Sequence, residues 1–442
     1  MSFIIDFHKT NGYLIMSYSN LLFSPADLPP AIRYEKLFDR LPPLPEHISK
    51  SGRRPISKNS LLKALIYKAL RRFPFLSDLT FELNNNPSIS KILGFNPLAS
   101  APSTERFSSF MHDVNHFEIS LIHKTLVQQL VDSGTISGNY IAIDSCPIVV
   151  PLRENNLKTS MADRFNKTKI PRGDPDVRLG VLIHFPTPYK KAVRYFWGYR
   201  NHIINDISTE LPVWEITKPA NIADIKVAKQ LILEAKSLFN LNIKAVVADA
   251  NYDAEDLLKF IINDLNAQAI IPHNPGNKHC NGYQIKDDKV ICEAGLTMYR
   301  KGKMRHKKTG INYCQYCCPI VHDKQIRYQH IMCPVFHPKF TKGKGCNVLI
   351  RMNPSIRSEI GYDTQNFKEL YKKRTSVERI FSRLLAIAMQ NPTVRGYNAN
   401  CNHATIAHIS VLLVALTAVQ TGQQDKLRYV KSFVPNFLLS NS

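Results

Sequence analysis

The chain has 442 residues, of which 44% are hydrophobic, and its formal net charge is +23. This hydrophobic share excludes an intrinsically disordered chain, and the length allows about two or three domains. The excess of positive charge is larger than solubility requires. It favours a polyanionic partner over a membrane surface, because no basic amphipathic anchor stands beside an apolar span.

The sequence gives no signal for export or membrane insertion. The first residues contain an early acid and lack an apolar core followed by a cleavage site, and Met16 is an alternative start. The longest apolar run, 408–419, is shorter than the roughly 20 residues of a spanning helix, so we predict a buried helix. Nine cysteines in such a chain indicate a reducing compartment, with metal sites or free thiols rather than disulfides.

The first third of the chain is predicted to be an irregular arm, 1–30, followed by a bundle of about five helices over 31–135. Ser103 or Thr104 is the candidate N-cap of one of these helices. A solvated helix face would explain the basic segment 51–73, but its lack of acids favours contact with DNA phosphates. The candidate DNA-binding residues in this segment are Arg53, Arg54, Lys58, Arg71 and Arg72.

From residue 139 the pattern changes to strands. Four apolar, β-rich runs are followed by helix, strand, helix and strand, which predicts a mixed α/β sheet rather than a doubly wound parallel one. We assign 136–272 to the first part of this domain. The predicted elements are strands at 139–150, 177–185, 191–203 and 211–219, a helix at 221–239, a strand at 243–253, a helix at 253–264 and a strand at 267–272.

Residues 273–350 interrupt the pattern as a basic insertion that holds seven of the nine cysteines. Cys314 and Cys317 form a C-x2-C pair, and Cys333 and Cys280 complete a candidate zinc site, with free thiols as the alternative. The run 300–308 contains six Lys or Arg residues in nine and is predicted to contact phosphates. The sheet domain resumes over 351–424, and a tail follows at 425–442.

Three carboxylates stand out in this pattern. Asp144 lies inside an apolar strand, Asp249 lies near the end of another, and Glu378 is the only acid in the basic segment 371–385. Helix capping or an ion pair would explain one such residue, but a set of three favours metal ions. Carboxylates are the ligands that Mg²⁺ prefers, and two ions about 4 Å apart catalyse phosphoryl transfer.

Helical phase places Glu378 at the margin of a packed face. Val377, Ile380, Phe381 and Leu384 form the apolar arc, whereas Arg379, Lys372, Ser382 and Arg383 lie on the outer side. Tyr371 and Arg374 share the side of Glu378. A surface ion pair between Arg374 and Glu378 is the alternative explanation.

The ordered set Asp144, Asp249 and Glu378 resembles the DDE transposases of bacterial insertion sequences. The resemblance is closest to the subgroup whose catalytic helix carries Tyr-x2-Arg-x3-Glu-x6-Lys, which Tyr371, Arg374 and Glu378 fit, although Leu385 stands at the lysine position. The segments AIDSCPI, FWGYRNHIINDISTELP, TKPANIADI and ADANYD also resemble the family, with Arg200, His202, Asn221 and Asp224 at commonly shared positions. The similarity covers most of residues 35–420.

The resemblance implies an RNase H-like catalytic domain that binds two Mg²⁺ or Mn²⁺ ions through Asp144, Asp249 and Glu378. It implies nicking of double-stranded DNA at element ends, then attack of the freed 3′-hydroxyl on target DNA, by a homodimer on DNA. Tyr371 and Arg374 would position the strand, and the lysine contact is either missing or supplied by Arg383 or another cation. Arg200 and His202 are further candidate DNA contacts, although His202 could also touch a carboxylate, and a structural role is favoured for it. The alternatives are a metal-dependent nuclease and a catalytically decayed DNA-binding protein. We expect a cytoplasmic, nucleoid-associated protein without a membrane partner.

Overall fold

The structure is a computed structural model, and it describes most of the chain between residues 30 and 430. The described ranges are 9–10, 13–14, 30–46, 55–187, 190–274, 282–286, 289–307, 310–324, 332–352 and 355–430. Two short strands, β1 (Lys9–Thr10) and β2 (Tyr13–Leu14), pair antiparallel within the predicted N-terminal arm. The rest of that arm, most of the C-terminal tail, Arg53, Arg54 and Cys280 lie outside the described residues.

The predicted helical region forms helices, and these share a core with the sheet that follows. One cluster of buried apolar side chains runs from Tyr34 and Leu62 in the helices to Ile141 and Val246 in the strands. The division of the helices into a domain of their own stays a prediction. The helices are α1 (Pro30–Phe38), α2 (Lys58–Leu70), α3 (Leu76–Asn85), α4 (Pro87–Ile92), α5 (Thr104–Asp113), which has Ser103 at its N-cap, and α6 (His116–Asp132).

The predicted mixed sheet is confirmed, and in the described residues it has six strands. The strand order is β4-β5-β3-β7-β8, and β6 pairs with β5. The pairs among β3, β4, β5 and β6 are antiparallel, whereas β3–β7 and β7–β8 are parallel. The strands are β3 (Tyr140–Val149), β4 (Arg178–Thr187), β5 (Lys190–Asp206), β6 (Leu211–Pro219), β7 (Ala245–Val247) and β8 (Gln268–Ile270).

Helices connect and cover this sheet. A short helix α7 (Met161–Arg164) follows β3, α8 (Asp224–Phe239) follows β6, and α9 (Glu255–Lys259) continues into a π-helical turn, Phe260–Asp264. The C-terminal helix, Tyr397–Gln420, is long and apolar enough to cross a membrane, but 89% of its apolar window is buried inside the protein. The predicted buried helix is therefore confirmed as a core element, packed against α2, α5 and α6.

The cysteine-rich region folds into small antiparallel sheets. Strands β9 (Tyr283–Lys286) and β10 (Lys289–Cys292) form a hairpin, and β11 (Tyr299–Arg305), β12 (Asn312–Cys317) and β13 (Asn347–Arg351) form a three-stranded sheet. At the end of β13, both terminal nitrogens of Arg351 lie 2.8 Å from the carboxylate of Glu255 on α9. This bidentate pair fastens the small sheet to helix α9.

The predicted long basic helix is interrupted. One helix spans Gln365–Lys372, and a second, the glutamate helix, spans Thr375–Ala386. Between them, Arg374 and Ser376 donate backbone hydrogen bonds to the carbonyls three residues earlier, which is the tighter 3₁₀ pattern. The Ser376 hydroxyl accepts a 3.0 Å hydrogen bond from Asn205 of β5, which docks the glutamate helix on the sheet.

Candidate active site

Asp144 lies on strand β3, and Asp249 lies just beyond the end of the neighbouring strand β7. The parallel register pairs Ala142 of β3 with Val247, the last residue of β7. Asp144 is two residues beyond Ala142 and Asp249 is two residues beyond Val247, so the chain carries both carboxylates past the same end of this strand pair. The parallel pairing, which spacing alone does not reveal, therefore brings the first two predicted carboxylates together.

Asp249 also caps the turn that follows its strand. Its carboxylate accepts hydrogen bonds of 2.9 Å from the backbone N–H and from the side-chain amide of Asn251. It is the N-cap of the 3₁₀ turn Ala250–Tyr252. Capping, the alternative explanation for a strand-end aspartate, therefore applies to Asp249. The cap also fixes the carboxylate beside Asp144, so it is compatible with a role at the site.

Burial raises the pKa of both aspartates. Burial raises the pKa of Asp144 to about 7, and the neighbouring charges of Asp249 and Asp224 add to it, against the backbone N–H of Ser145 and the Arg374 guanidinium. Burial likewise raises the pKa of Asp249, again against the hydrogen bonds of Asn251. Clustered carboxylates with raised pKa values are typical of sites that bind a cation or exchange a proton.

Glu378 joins this pair through an arginine. The Arg374 guanidinium donates a hydrogen bond to the Glu378 carboxylate, as expected for an i,i+4 pair, and its other terminal nitrogen lies 3.9 Å from Asp144. The Glu378 side chain is 53% exposed. One guanidinium therefore bridges the first and third predicted carboxylates, at the interruption between the two helices.

The predicted packing of the glutamate helix is confirmed for its apolar arc but is wrong for Arg383. Val377, Ile380 and Leu384 are fully buried. Arg383, predicted to face outward and to contact DNA, is only 8% exposed and bonds to the backbone carbonyl and carboxylate of Glu210. A buried, paired guanidinium cannot replace the missing lysine.

Leu385, at the lysine position of the family motif, is 40% exposed. Tyr371 remains partly buried and stacks on Phe367 at a centroid distance of 6.2 Å. The DNA-positioning role of Tyr371 stays a prediction that rests on the family motif.

Arg200 and His202 both contact Asp224 beside the site. Arg200 donates to the Ser145 hydroxyl at 3.2 Å and lies 3.6 Å from Asp224. His202 is 1% exposed, its Nδ1 lies 3.3 Å from the Asp224 carboxylate, and burial lowers its pKa to about 4. This burial beside a carboxylate agrees with the structural role favoured for His202 and leaves its side chain no exposed surface for a DNA contact.

Asp224 is a site residue to which sequence reasoning gave no role. It is the first residue of α8, and it lies close enough to raise the pKa values of both Asp144 and Asp249. One of its carboxylate oxygens is buried beside His202 without a hydrogen-bond partner. The sequence feature that could have identified Asp224 is its position in the first turn of a predicted helix that follows two strands. An acid at this position usually indicates only the start of a helix.

The basic residues of α2 are not a uniform unpaired surface. Lys58 lies 3.1 Å from Glu118 of α6, and Arg71 lies over the Tyr67 ring at 6.0 Å. The lack of acids within the segment was correct, but the acid that pairs with Lys58 comes from another helix. Arg72 follows α2 at a positive φ of 57° and also has a partner. DNA contact by these residues stays a prediction.

The second predicted basic surface lies on strand β11, at the edge of the small sheet. Lys301, Lys303 and Arg305 are exposed along it. Their three charges point into solvent from an edge strand, which is a suitable arrangement for phosphate contact. We refer to these three residues as the basic edge.

The described members of the predicted zinc site, Cys314, Cys317 and Cys333, do not come together around one ion. Cys314 and Cys317 both lie within β12. Residues three apart on a strand point to opposite faces, so this C-x2-C pair cannot bind one ion as it can in a turn. Cys314 instead accepts a hydrogen bond from Arg300 at 3.5 Å. Cys333 lies elsewhere, in the wall of a separate cavity.

The three carboxylates are the right type of ligand for a divalent metal ion, but their side chains do not surround a common centre in this structure. No three of the described His, Cys, Asp or Glu side chains stand in a metal-binding arrangement. Carboxylate oxygens suit Mg²⁺ and Mn²⁺, and a cation would relieve the repulsion between Asp144 and Asp249. The Arg374 guanidinium supplies that positive charge between Asp144 and Glu378 in this structure.

Comparison with known proteins identifies the family. The model of the transposase DDE domain matches residues 168–413, more than half of the chain, and includes Asp249 and Glu378 but begins after Asp144. A comparison with curated proteins gives no match. Among solved structures, the chain is similar to a cryo-EM structure of a piggyBac transposase synaptic complex with hairpin DNA, at a TM-score of 0.37 and 11% identity over 96% of this chain and 81% of that one. That score is too low to support further argument, but the match over residues 168–413 shows that the chain belongs to the DDE transposase family.

Proposed function

We propose that the protein is a DNA transposase that cleaves DNA strands at the ends of a mobile element and joins the freed 3′-hydroxyl to target DNA. One observation carries the proposal. Asp144 on β3 lies near Asp249, which follows the parallel strand β7, and Arg374 connects Glu378 to Asp144. An RNase H-like catalytic domain is consistent with this mixed sheet and with family membership.

Each site residue has a distinct proposed role. Asp144 and Asp249 would hold two Mg²⁺ or Mn²⁺ ions, and Glu378 would complete one ion's ligands. Such ions activate the attacking hydroxyl group and stabilise the leaving oxygen. Arg374 holds Glu378 toward Asp144 in this structure, and with DNA bound its guanidinium would turn to a strand phosphate, together with Tyr371.

The network behind the sheet would keep this site in place. Arg200 connects Ser145, next to Asp144, to Asp224 at the start of α8. Asp224 also lies beside buried His202, so this group of side chains would hold strand β3 in position. We propose that Arg200 and Asp224 are positioning residues and not DNA contacts.

Metal-dependent cleavage should decrease as the pH falls below about 7. Burial raises the pKa of Asp144 to about 7, so below that pH its carboxyl group carries a proton and loses affinity for a cation. Because proton and cation compete, a higher Mn²⁺ concentration should move the midpoint of the pH profile to lower pH. Initial cleavage rates between about pH 5.5 and 8.5, at two Mn²⁺ concentrations, test this. A midpoint that does not respond to Mn²⁺ would contradict the role of Asp144.

The basic edge should contribute to DNA affinity through phosphates. Replacing Lys301, Lys303 and Arg305 with alanine should weaken binding to all sequences and reduce the slope of log K against log salt by roughly 2 to 3, at about 0.9 per phosphate contact. Fluorescence anisotropy at several salt concentrations measures this slope. A charge-matched control replaces the exposed residues Lys91, Lys158 and Lys244. An equal loss of slope in both variants would mean that net charge alone is responsible.

Strand cleavage and joining distinguish the transposase from its two alternatives. Purified protein is incubated with labelled DNA that contains the element ends and with Mg²⁺ or Mn²⁺. Cleavage followed by joining supports the proposal, cleavage without joining indicates a nuclease, and DNA binding without either reaction indicates a decayed enzyme. Joining two ends at once requires two active sites, so we also expect a homodimer on DNA.

A further inference from the structure

Four cysteines from four separate segments line one cavity in the cysteine-rich region. The cavity has a volume of about 230 Å³. Cys292 ends β10, Cys318 directly follows β12, Cys346 directly precedes β13, and Cys333 lies between them in the chain. This set differs from the one predicted from spacing and shares only Cys333 with it.

A backbone hydrogen bond joins two of these cysteines, and turns present the other two. The Cys318 N–H donates a 2.8 Å hydrogen bond to the Cys346 carbonyl. Cys292 and Cys333 each begin a tight turn, because their carbonyls accept hydrogen bonds of 2.9 Å from Gly295 and 3.0 Å from Phe336. Thiols presented from turns and strand ends can approach a common centre, unlike the strand pair Cys314 and Cys317.

The apolar core around the cavity is thin. One cluster consists of Val290, Cys292 and Met298, and the other of Cys318, Ile320 and Cys333, with Cys346 packed against both. The cysteines thus make up a large part of this small apolar core. A unit with so little buried apolar surface usually depends on a disulfide or a metal ion.

The four thiols are free and crowded. None of them forms a disulfide. Burial raises the pKa of Cys346 to about 11, and the charges of Cys318, Cys292 and Cys333 add to it. Mutual repulsion between thiolates disappears when a divalent cation lies between them, and the cation then favours deprotonation.

We propose that Cys292, Cys318, Cys333 and Cys346 bind one structural Zn²⁺ ion. Four thiols would each release a proton, and four Zn–S bonds of about 2.3 Å would form without any change of oxidation state. Since no three described side chains already surround an ion, binding would draw the thiolates into the cavity. Lys339, which also lines the cavity, offsets part of the negative charge of the filled site.

The zinc content of the purified full-length protein tests the proposal. After dialysis against a mild chelator, the protein should retain one zinc ion per chain by mass spectrometry of the metal. Cys346→Ser and Cys318→Ser should lose most of this zinc, whereas the matched control Cys314→Ser should retain it. Zinc-free wild-type protein, or equal retention in all three variants, would overturn the proposal, as would loss in the Cys314→Ser variant alone.

A second measurement covers the case in which the variants fail to fold. Co²⁺ added to chelator-treated wild-type protein should give the visible absorption of a tetrahedral thiolate complex, and Zn²⁺ should remove it. A spectrum without thiolate-to-metal bands would contradict the assignment. Neither measurement uses DNA or catalysis, so failure of the zinc proposal can be distinguished from failure of the proposed transposase function.

Discussion

Asp249→Asn should abolish both strand cleavage and strand joining, lowering each rate by roughly 10³-fold or more, because one carboxylate of the metal site is lost. The asparagine keeps the size of the side chain, and its carbonyl oxygen can still accept the hydrogen bond from the Asn251 backbone N–H. The fold and DNA affinity should therefore stay near the wild-type level. Gel assays of cleaved and joined labelled DNA, beside anisotropy for binding, measure the two effects.

Asp264→Asn is the matched control, since Asp264 is exposed at the end of a helical turn in the same domain. It should retain full activity. Equal activity in the Asp249 and Asp264 variants would rule out the assignment of Asp249. Reduced DNA binding by the Asp249 variant alone would instead indicate a role in DNA contact.

Glu210→Gln should lower the free energy of unfolding by about 3 kcal/mol, because it leaves a buried charge unpaired. Glu210 is only 5% exposed, and it neutralises Arg383, which is 8% exposed, on the glutamate helix. Arg379→Ala is the control, because Arg379 contacts the same carboxylate at 2.6 Å but is 55% exposed. Its loss should cost less than about 1 kcal/mol.

Urea-induced unfolding of the three proteins at one pH measures these differences through the midpoint and slope. Similar losses in both variants would mean that the buried pair is not a main link between the glutamate helix and the sheet. A Glu210→Gln variant that is stable but inactive would show that this pair positions Glu378 rather than stabilising the fold.

Local patterns predicted much of the sheet domain. The apolar, β-rich runs 139–150 and 211–219 correspond to β3 and β6 within one or two residues. The strand predicted over 243–253 ends at Val247, because Asp249 caps a turn instead of continuing the strand. The pairing of β3 with β7, which brings the aspartates together, depends on contacts between distant residues and could not be derived from either strand alone.

Errors arose where a distant residue changed the meaning of a local pattern. Helical phase placed Arg383 on the outer side, but Glu210, 173 residues earlier, covers that side and buries it. The C-x2-C spacing suggested a metal pair, but β12 is extended there and separates the two thiols. The first error comes from a partner that is far away in sequence, and the second comes from the extended conformation of β12 itself.

The family motif remains incomplete at Leu385. Its side chain is 40% exposed, and Arg383, the nearest cation considered for its role, is buried against Glu210. Leu385→Lys would restore the charge that the family motif places there. A gain in strand cleavage by this variant, with unchanged unfolding, would show that the lost lysine limits activity.

The most direct test of the central claim is a crystal structure of the protein with an element end and Mn²⁺, with metal positions taken from anomalous scattering. The account predicts anomalous peaks within roughly 2.2 Å of carboxylate oxygens of Asp144, Asp249 and Glu378, with Arg374 turned from Asp144 to a DNA phosphate. Well-ordered DNA with Mn²⁺ bound elsewhere, and Arg374 still between Asp144 and Glu378, would contradict the three-carboxylate site.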